Sequence, residues 1–155
     1  PLGRLRLTKQ KFEEVGDWTQ LTETEQVTMM SLWCIFRSPL MISSEMRDND
    51  EFTLQLLTNR EILEMHRFGE GAHQVYRTEE TCAWRSVDTR DGGTYVALFN
   101  LSDQQREVSA CWEELGLSGP HAARDVWAHQ DAGVLEGRVA AVLPPHGSAV
   151  YKLEK

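Results

Sequence analysis

The chain has 155 residues, 41% hydrophobic and 26% charged, which is the balance of a folded globular protein and excludes a disordered one. A formal net charge of -8, with Lys and Arg scattered rather than gathered into a stripe, argues against nucleic acid as a partner. No apolar run approaches the roughly 20 residues of a membrane-spanning helix, so no membrane partner is expected.

The opening Pro1-Leu2-Gly3 has no Met, which suggests a start further upstream. Trp18 stands in a polar loop. From Thr22 to Phe36 apolar residues recur at steps of three and four, the period of a helix with one buried face, and Thr22 with Glu25 can form a capping box at its start. Pro39 is expected to close that helix, because the residue before a proline is pushed out of the helical region. Leu40-Met41-Ile42 is a short apolar run between serines and reads as a buried parallel strand. Asn49 or Asp50 can cap a helix through Leu57, and Thr58 or Asn59 its continuation through Met65.

After Phe68-Gly69-Glu70-Gly71 the period changes to two. Strands are expected at 74–77, 82–87, 95–101, 107–111, 123–127, 139–143 and 148–153, and Asp91-Gly92-Gly93 is a hairpin signal because such turns need positive φ. The result is an α/β part over residues 1–72 followed by an antiparallel β-sandwich over 73–155. Two helices and one strand cannot cover a parallel sheet or satisfy that strand's own backbone groups, so residues 1–72 need neighbours that the chain does not supply.

Trp18-Thr19, Thr22-Glu23-Thr24-Glu25-Gln26 and the unbroken Ser31-Leu32-Trp33-Cys34-Ile35-Phe36-Arg37-Ser38-Pro39-Leu40-Met41-Ile42 resemble the melibiase-type α-galactosidases of glycoside hydrolase family 27. Arg47-Asp48-Asn49-Asp50-Glu51-Phe52-Thr53-Leu54, Leu56-Leu57-Thr58-Asn59 and the closing Pro144-Pro145-His146-Gly147 with Ala149-Val150-Tyr151 are similar as well. The resemblance implies an α/β remnant of a (β/α)₈ barrel, its last helix, strand and helix, followed by the family's all-β antiparallel sandwich. It implies a parent that hydrolyses terminal α-galactosides with retention, which takes two carboxyl groups about 5–5.5 Å apart. Both aspartates of the family sit upstream of Pro1, so no catalytic residue is expected here and the chain alone should be inactive. Its partners would be the missing N-terminal barrel segment and, in the parent, an α-galactoside. Where the family often has two glycines and an acid after the eighth strand, this chain has Ser43, Ser44 and Glu45. These three, facing the barrel mouth, and Trp18 at its rim are the candidate substrate-binding residues. The asparagine-glutamine pair that the family tends to carry near Met65-His66-Arg67 is absent.

Other candidates have plainer readings. Glu13-Glu14, Asp48 with Asp50, Glu79-Glu80 and Glu113-Glu114 read as caps or solvated turns. The five histidines show no metal-ligand spacing, so neither metal nor cofactor is expected. Trp33, Trp84 and Trp127 read as core, and Cys34, Cys82 and Cys111, odd in number and without C-x-x-C spacing, as buried free thiols. The alternative to a glycosidase fragment is a non-catalytic carbohydrate-binding or structural β-sandwich module. The fragment reading further expects the sandwich to cover only the last helix, leaving Leu40 to Ile42 unpaired and apolar side chains exposed.

Overall fold

The computed structural model describes residues 18–42, 47 and 49–154. The first described helix, α1 (Glu23–Ile35), starts as its sequence dictates: Thr22 Oγ1 accepts the Glu25 N–H at 3.2 Å and Glu25 Oε2 accepts the Thr22 N–H at 2.8 Å. Its end is made before Pro39. Arg37 takes φ 57°, and the N–H groups of Arg37 and Ser38 return to the carbonyls of Cys34 and Trp33, a Schellman closure. That left-handed position usually holds glycine. An arginine there gives the sequence no signal to read.

Two further helices follow, α2 (Glu51–Thr58) and α3 (Arg60–Phe68), with Asp50 and Asn59 as caps. Asp50 Oδ1 accepts the Thr53 N–H at 2.7 Å, and Asn59 Oδ1 accepts the Ile62 N–H at 3.1 Å. Between α1 and α2, the expected strand at Leu40 to Ile42 is not formed: these residues join no ladder among the described residues, and Met41 is 84% exposed. A strand needs a neighbour for its N–H and C=O groups, and among the described residues none lies alongside.

Helix α3 runs straight into β1 (Gly69–Arg77). Gly69 is required at that junction, since a Cβ there would lie 2.6 Å from the Met65 carbonyl oxygen. The strands that follow are β2 (Thr81–Asp88), β3 (Thr94–Asn100), β4 (Arg106–Cys111), β5 (Pro120–Asp125), β6 (Gln130–Glu136), β7 (Arg138–Leu143) and β8 (Ser148–Leu153), with a one-turn helix α4 (Trp112–Leu115) after β4. They form a six-stranded antiparallel sheet in the order β1-β2-β3-β8-β5-β6 and a two-stranded sheet β4-β7. The β2–β3 turn carries Asp91-Gly92-Gly93 with Gly92 at φ 75°. Strand β6 was not anticipated. It is an edge strand with nearly every side chain exposed, so it has no buried face to write an alternating pattern.

The centre of the large sheet is buried on both sides. Tyr95, Ala97 and Phe99 of β3 face the helices and pack with Met30, Cys34, Ile35, Leu56, Ile62 and Met65. Val96 and Leu98 point the other way, into a second core with Val108, Ala110, Val139 and Leu143 of the small sheet. All seven residues of β3 are buried, which is why its sequence is nearly continuously apolar rather than alternating.

The sandwich covers more of the helical part than expected. Besides α3, α1 lies on the sheet, where Met30, Cys34 and Ile35 are at most 2% exposed. Polar groups fix the seam. Thr28 Oγ1 donates to the His146 carbonyl at 2.7 Å, and the buried Ser31 Oγ accepts Trp127 Nε1–H at 2.8 Å. The Pro144-Pro145-His146-Gly147 turn thus has a physical use. It closes with the Gly147 N–H on the Pro144 carbonyl at 3.0 Å, puts His146 at φ 55° and delivers that residue's carbonyl to α1.

Candidate functional site

Of the four candidate substrate-binding residues, Ser43, Ser44 and Glu45 lie outside the described residues, whereas Trp18 is described and 42% exposed. Gln20 Nε2 donates to the Trp18 carbonyl at 3.3 Å, so this backbone is held locally while the indole stays accessible.

The segment that leads to Ser43 is well anchored. His66 of α3 donates through Nε2 to the Ser38 carbonyl at 2.9 Å, tying the exit of α1 to the last helix. Leu40 is half-buried, and with Met30, Trp33, Leu57 and Leu63 it lines an apolar hollow of about 100 Å³ beside Met41 and Ile42. The backbone therefore leaves the helices at a fixed place and carries Met41 and Ile42 outward, 84% and 44% exposed. This stretch can aim the residues after it, but it holds no group that could move a proton.

A retaining glycosidase needs one carboxyl held protonated, with its pKa raised by an apolar setting. Among the described residues, every carboxyl clearly displaced from its ordinary value is displaced downward. Glu25 and Asp50 are lowered by the helix-start hydrogen bonds of Thr22 and Thr53. Glu61 is lowered by the Arg124 guanidinium, against some desolvation. Asp88 is fully buried, which pushes its pKa up, but donors on Arg90, Lys152 and Tyr95 overcome this and hold it well below the carboxylate range. These carboxylates serve as caps and clasps, as the sequence reading of Asp50 expected. Glu114 accepts the Cys111 N–H at 2.9 Å and Glu80 pairs with Arg106 at 2.5 Å, each in a structural role.

The histidines and cysteines are similarly occupied. His66 holds the Ser38 carbonyl, His146 contacts Asp103 at 2.9 Å and His129 contacts Glu61 at 3.0 Å. No three potential metal ligands converge among the described residues. All three cysteines are free: Cys34 and Cys82 are buried, and burial pushes the Cys34 thiol up to about 12. Cys111 departs from expectation, because it is only half-buried, lying at the end of β4 where the strand leaves the second core. Trp33, Trp84 and Trp127 are half-buried against the first core, and Trp112 is the tryptophan that is fully buried.

What sequence reasoning missed is a charged cleft where α3 meets the sheet, lined by Arg60, Glu61, Glu64, Arg124, His129 and Lys152. These residues come from four separate stretches of chain. No spacing rule links them.

Residues 80–153 match the family model described as the α-galactosidase C-terminal β-sandwich domain. Among solved structures, the chain is 44% identical to a family 27 β-L-arabinopyranosidase from Geobacillus stearothermophilus, with TM-score 0.92 over 100% of this chain and 35% of that one. It is 38% identical to a putative α-N-acetylgalactosaminidase from Bacillus halodurans, with TM-score 0.89 over 100% of this chain and 36% of that one. The α-galactosidase of Coffea arabica is 29% identical over 90% of this chain and 38% of its own length. The chain thus spans a little over a third of the length of each of these three. In sequence and in fold it is the counterpart of the C-terminal part of α-galactosidase-type proteins of glycoside hydrolase family 27.

Proposed function

We propose that the chain is the C-terminal part of a retaining glycoside hydrolase whose full-length form cleaves terminal α-galactosides or β-L-arabinopyranosides, and that it is inactive alone. The observation that carries this reading is the end-to-end likeness to a family 27 β-L-arabinopyranosidase at 44% identity. The two sugars are close chemically: β-L-arabinopyranose has the ring configuration of α-D-galactopyranose without the exocyclic hydroxymethyl group. In this reading residues 1–72 close a barrel and residues 73–155 form its C-terminal sandwich, with the change of period falling inside β1. The nucleophile and the acid/base come from barrel residues that precede this part in the relatives. Ser43, Ser44 and Glu45 stand at the barrel mouth, and Trp18 at its rim, where they hydrogen-bond and stack on the bound sugar. The seam of Thr28, Ser31 and Trp127 holds the sandwich against the barrel end.

The test is an assay of aryl α-galactoside, aryl β-L-arabinopyranoside and aryl α-N-acetylgalactosaminide with the full-length parent and with this chain. The parent is expected to release the aryl group from at least one of the first two. The chain is expected to stay at the uncatalysed rate, many decades lower. Turnover by the purified chain, or a parent inert on both of the first two, overturns the reading.

A further inference from the structure

We propose that the cleft between α3 and the β5–β6 end of the large sheet binds a neutral pyranoside, its hydroxyls held by Arg60, Glu61 and His129 and its apolar face lying toward Trp127. Two hollows of about 380 and 450 Å³ adjoin there and share Arg60 and His129. Their size falls in the range of small-molecule sites. The first is lined mainly by charged side chains, and the second adds Trp127, Phe52 and Val27. A sugar ring needs this combination, because one face of it is C–H and its rim is hydroxyl.

The polar side is pre-positioned and electrically compensated. Both oxygens of Glu61 are taken by Arg124, at 2.6 and 2.9 Å, and His129 Nδ1 lies 3.0 Å from one of them. Arg60 Nε is 2.9 Å from Glu64, which Arg90 also contacts at 3.1 Å. With each cation already facing a carboxylate, the cleft offers donors and acceptors but no uncompensated charge to draw an ion. The rim is rigid as well. Asp125 Oδ1 accepts the N–H groups of Trp127 and Ala128 at 3.0 Å each, and the Trp127 indole is pinned on Ser31. Little conformational freedom is lost on binding such a surface. The class of ligand follows from this chemistry and does not rest on the hydrolase reading; Trp18 is not among the described residues that line the cleft.

The experiment is a titration of the isotope-labelled 155-residue chain with methyl α-D-galactopyranoside, methyl α-D-glucopyranoside and inorganic phosphate, reading the Trp127 Nε1–H and arginine Nε–H resonances. Saturable shifts with at least one pyranoside are expected, with a dissociation constant of about 1–10 mM for so small a ligand in an open cleft. Arg60→Ala, whose side chain is 86% exposed, should leave the β3 amide resonances in place and weaken binding. The loss should be about fivefold or more, as for removal of a hydrogen bond to a charged group. No saturable shift with either pyranoside, saturation by phosphate alone, or unchanged affinity in Arg60→Ala overturns the proposal. A parent that hydrolyses galactosides while this cleft stays silent would sink the cleft and leave the hydrolase reading standing; binding here with an inert parent would do the reverse.

Discussion

The helical part and the sandwich bury their apolar residues in different ways. In the sandwich each strand has partners within the chain, and β3 is sealed by helices on one face and by β4 and β7 on the other. Among the described residues the helical part packs on the sheet side. Met41, Ile42 and Leu54 remain 84%, 44% and 48% exposed. An element can therefore be well formed locally, with caps at Thr22, Asp50 and Asn59, and still leave apolar side chains exposed. Capping decides where a helix starts; only packing decides whether its whole surface is used.

The widest contrast should appear in hydrogen exchange. Amides of β3 are expected to open only with global unfolding, on the order of 5 kcal/mol or more, and those of Leu40 to Ile42 to exchange at nearly no cost. Equal protection in the two stretches would erase the distinction drawn here. A matched pair of leucine truncations sharpens it. Leu98→Ala removes a side chain with no exposure and should cost about 2–5 kcal/mol in denaturant unfolding. Leu54→Ala, at a half-exposed helical position, should cost under about 0.5 kcal/mol.

A smaller effect than Leu98→Ala is expected at Asp88, which clasps the β2–β3 turn to β8. Its Oδ2 accepts from Arg90 at 2.7 Å, from Lys152 at 2.8 Å and from Tyr95 at 2.9 Å, and Lys152 also contacts Asp91. Arg90 and Lys152 keep partial access to water, so Asp88→Asn should cost about 1–3 kcal/mol near neutral pH. The pH dependence has a definite sign. Because the folded value of Asp88 is depressed, its stabilisation is fully present above the unfolded carboxyl range near about pH 4 and fades as pH falls below it toward the folded value. Thermal unfolding of Asp88→Asn should show a shallower acid decline than the parent chain; parallel declines would remove Asp88 as its source.

Much of this was legible because it depends on local chemistry. The starts of α1, α2 and α3 are written in Thr22, Asp50 and Asn59, side chains that satisfy N–H groups three residues on. The apolar run of β3 announces burial, and Gly92 marks the β2–β3 turn because its φ is positive. The order of helices followed by short strands was likewise enough to expect a sandwich. Features that depend on distant neighbours were not legible. Arg37 at the left-handed end of α1, the exposed edge strand β6 and the half-buried Cys111 each contradict the simplest rule for their residue types.

For the candidate site the division is sharper. Sequence alone put forward Ser43, Ser44 and Glu45, through a resemblance and their place after an apolar run, and these three lie outside the described residues. The tertiary structure decided that His66 anchors Ser38, that α1 as well as α3 lies against the sheet, and that Glu61, Arg124 and His129 meet in one cleft. The physical reason is that capping and turn chemistry act over three or four residues, which a linear text displays. A contact such as Glu61 with Arg124 spans 63 positions and exists only once the sheet has folded back on the helix.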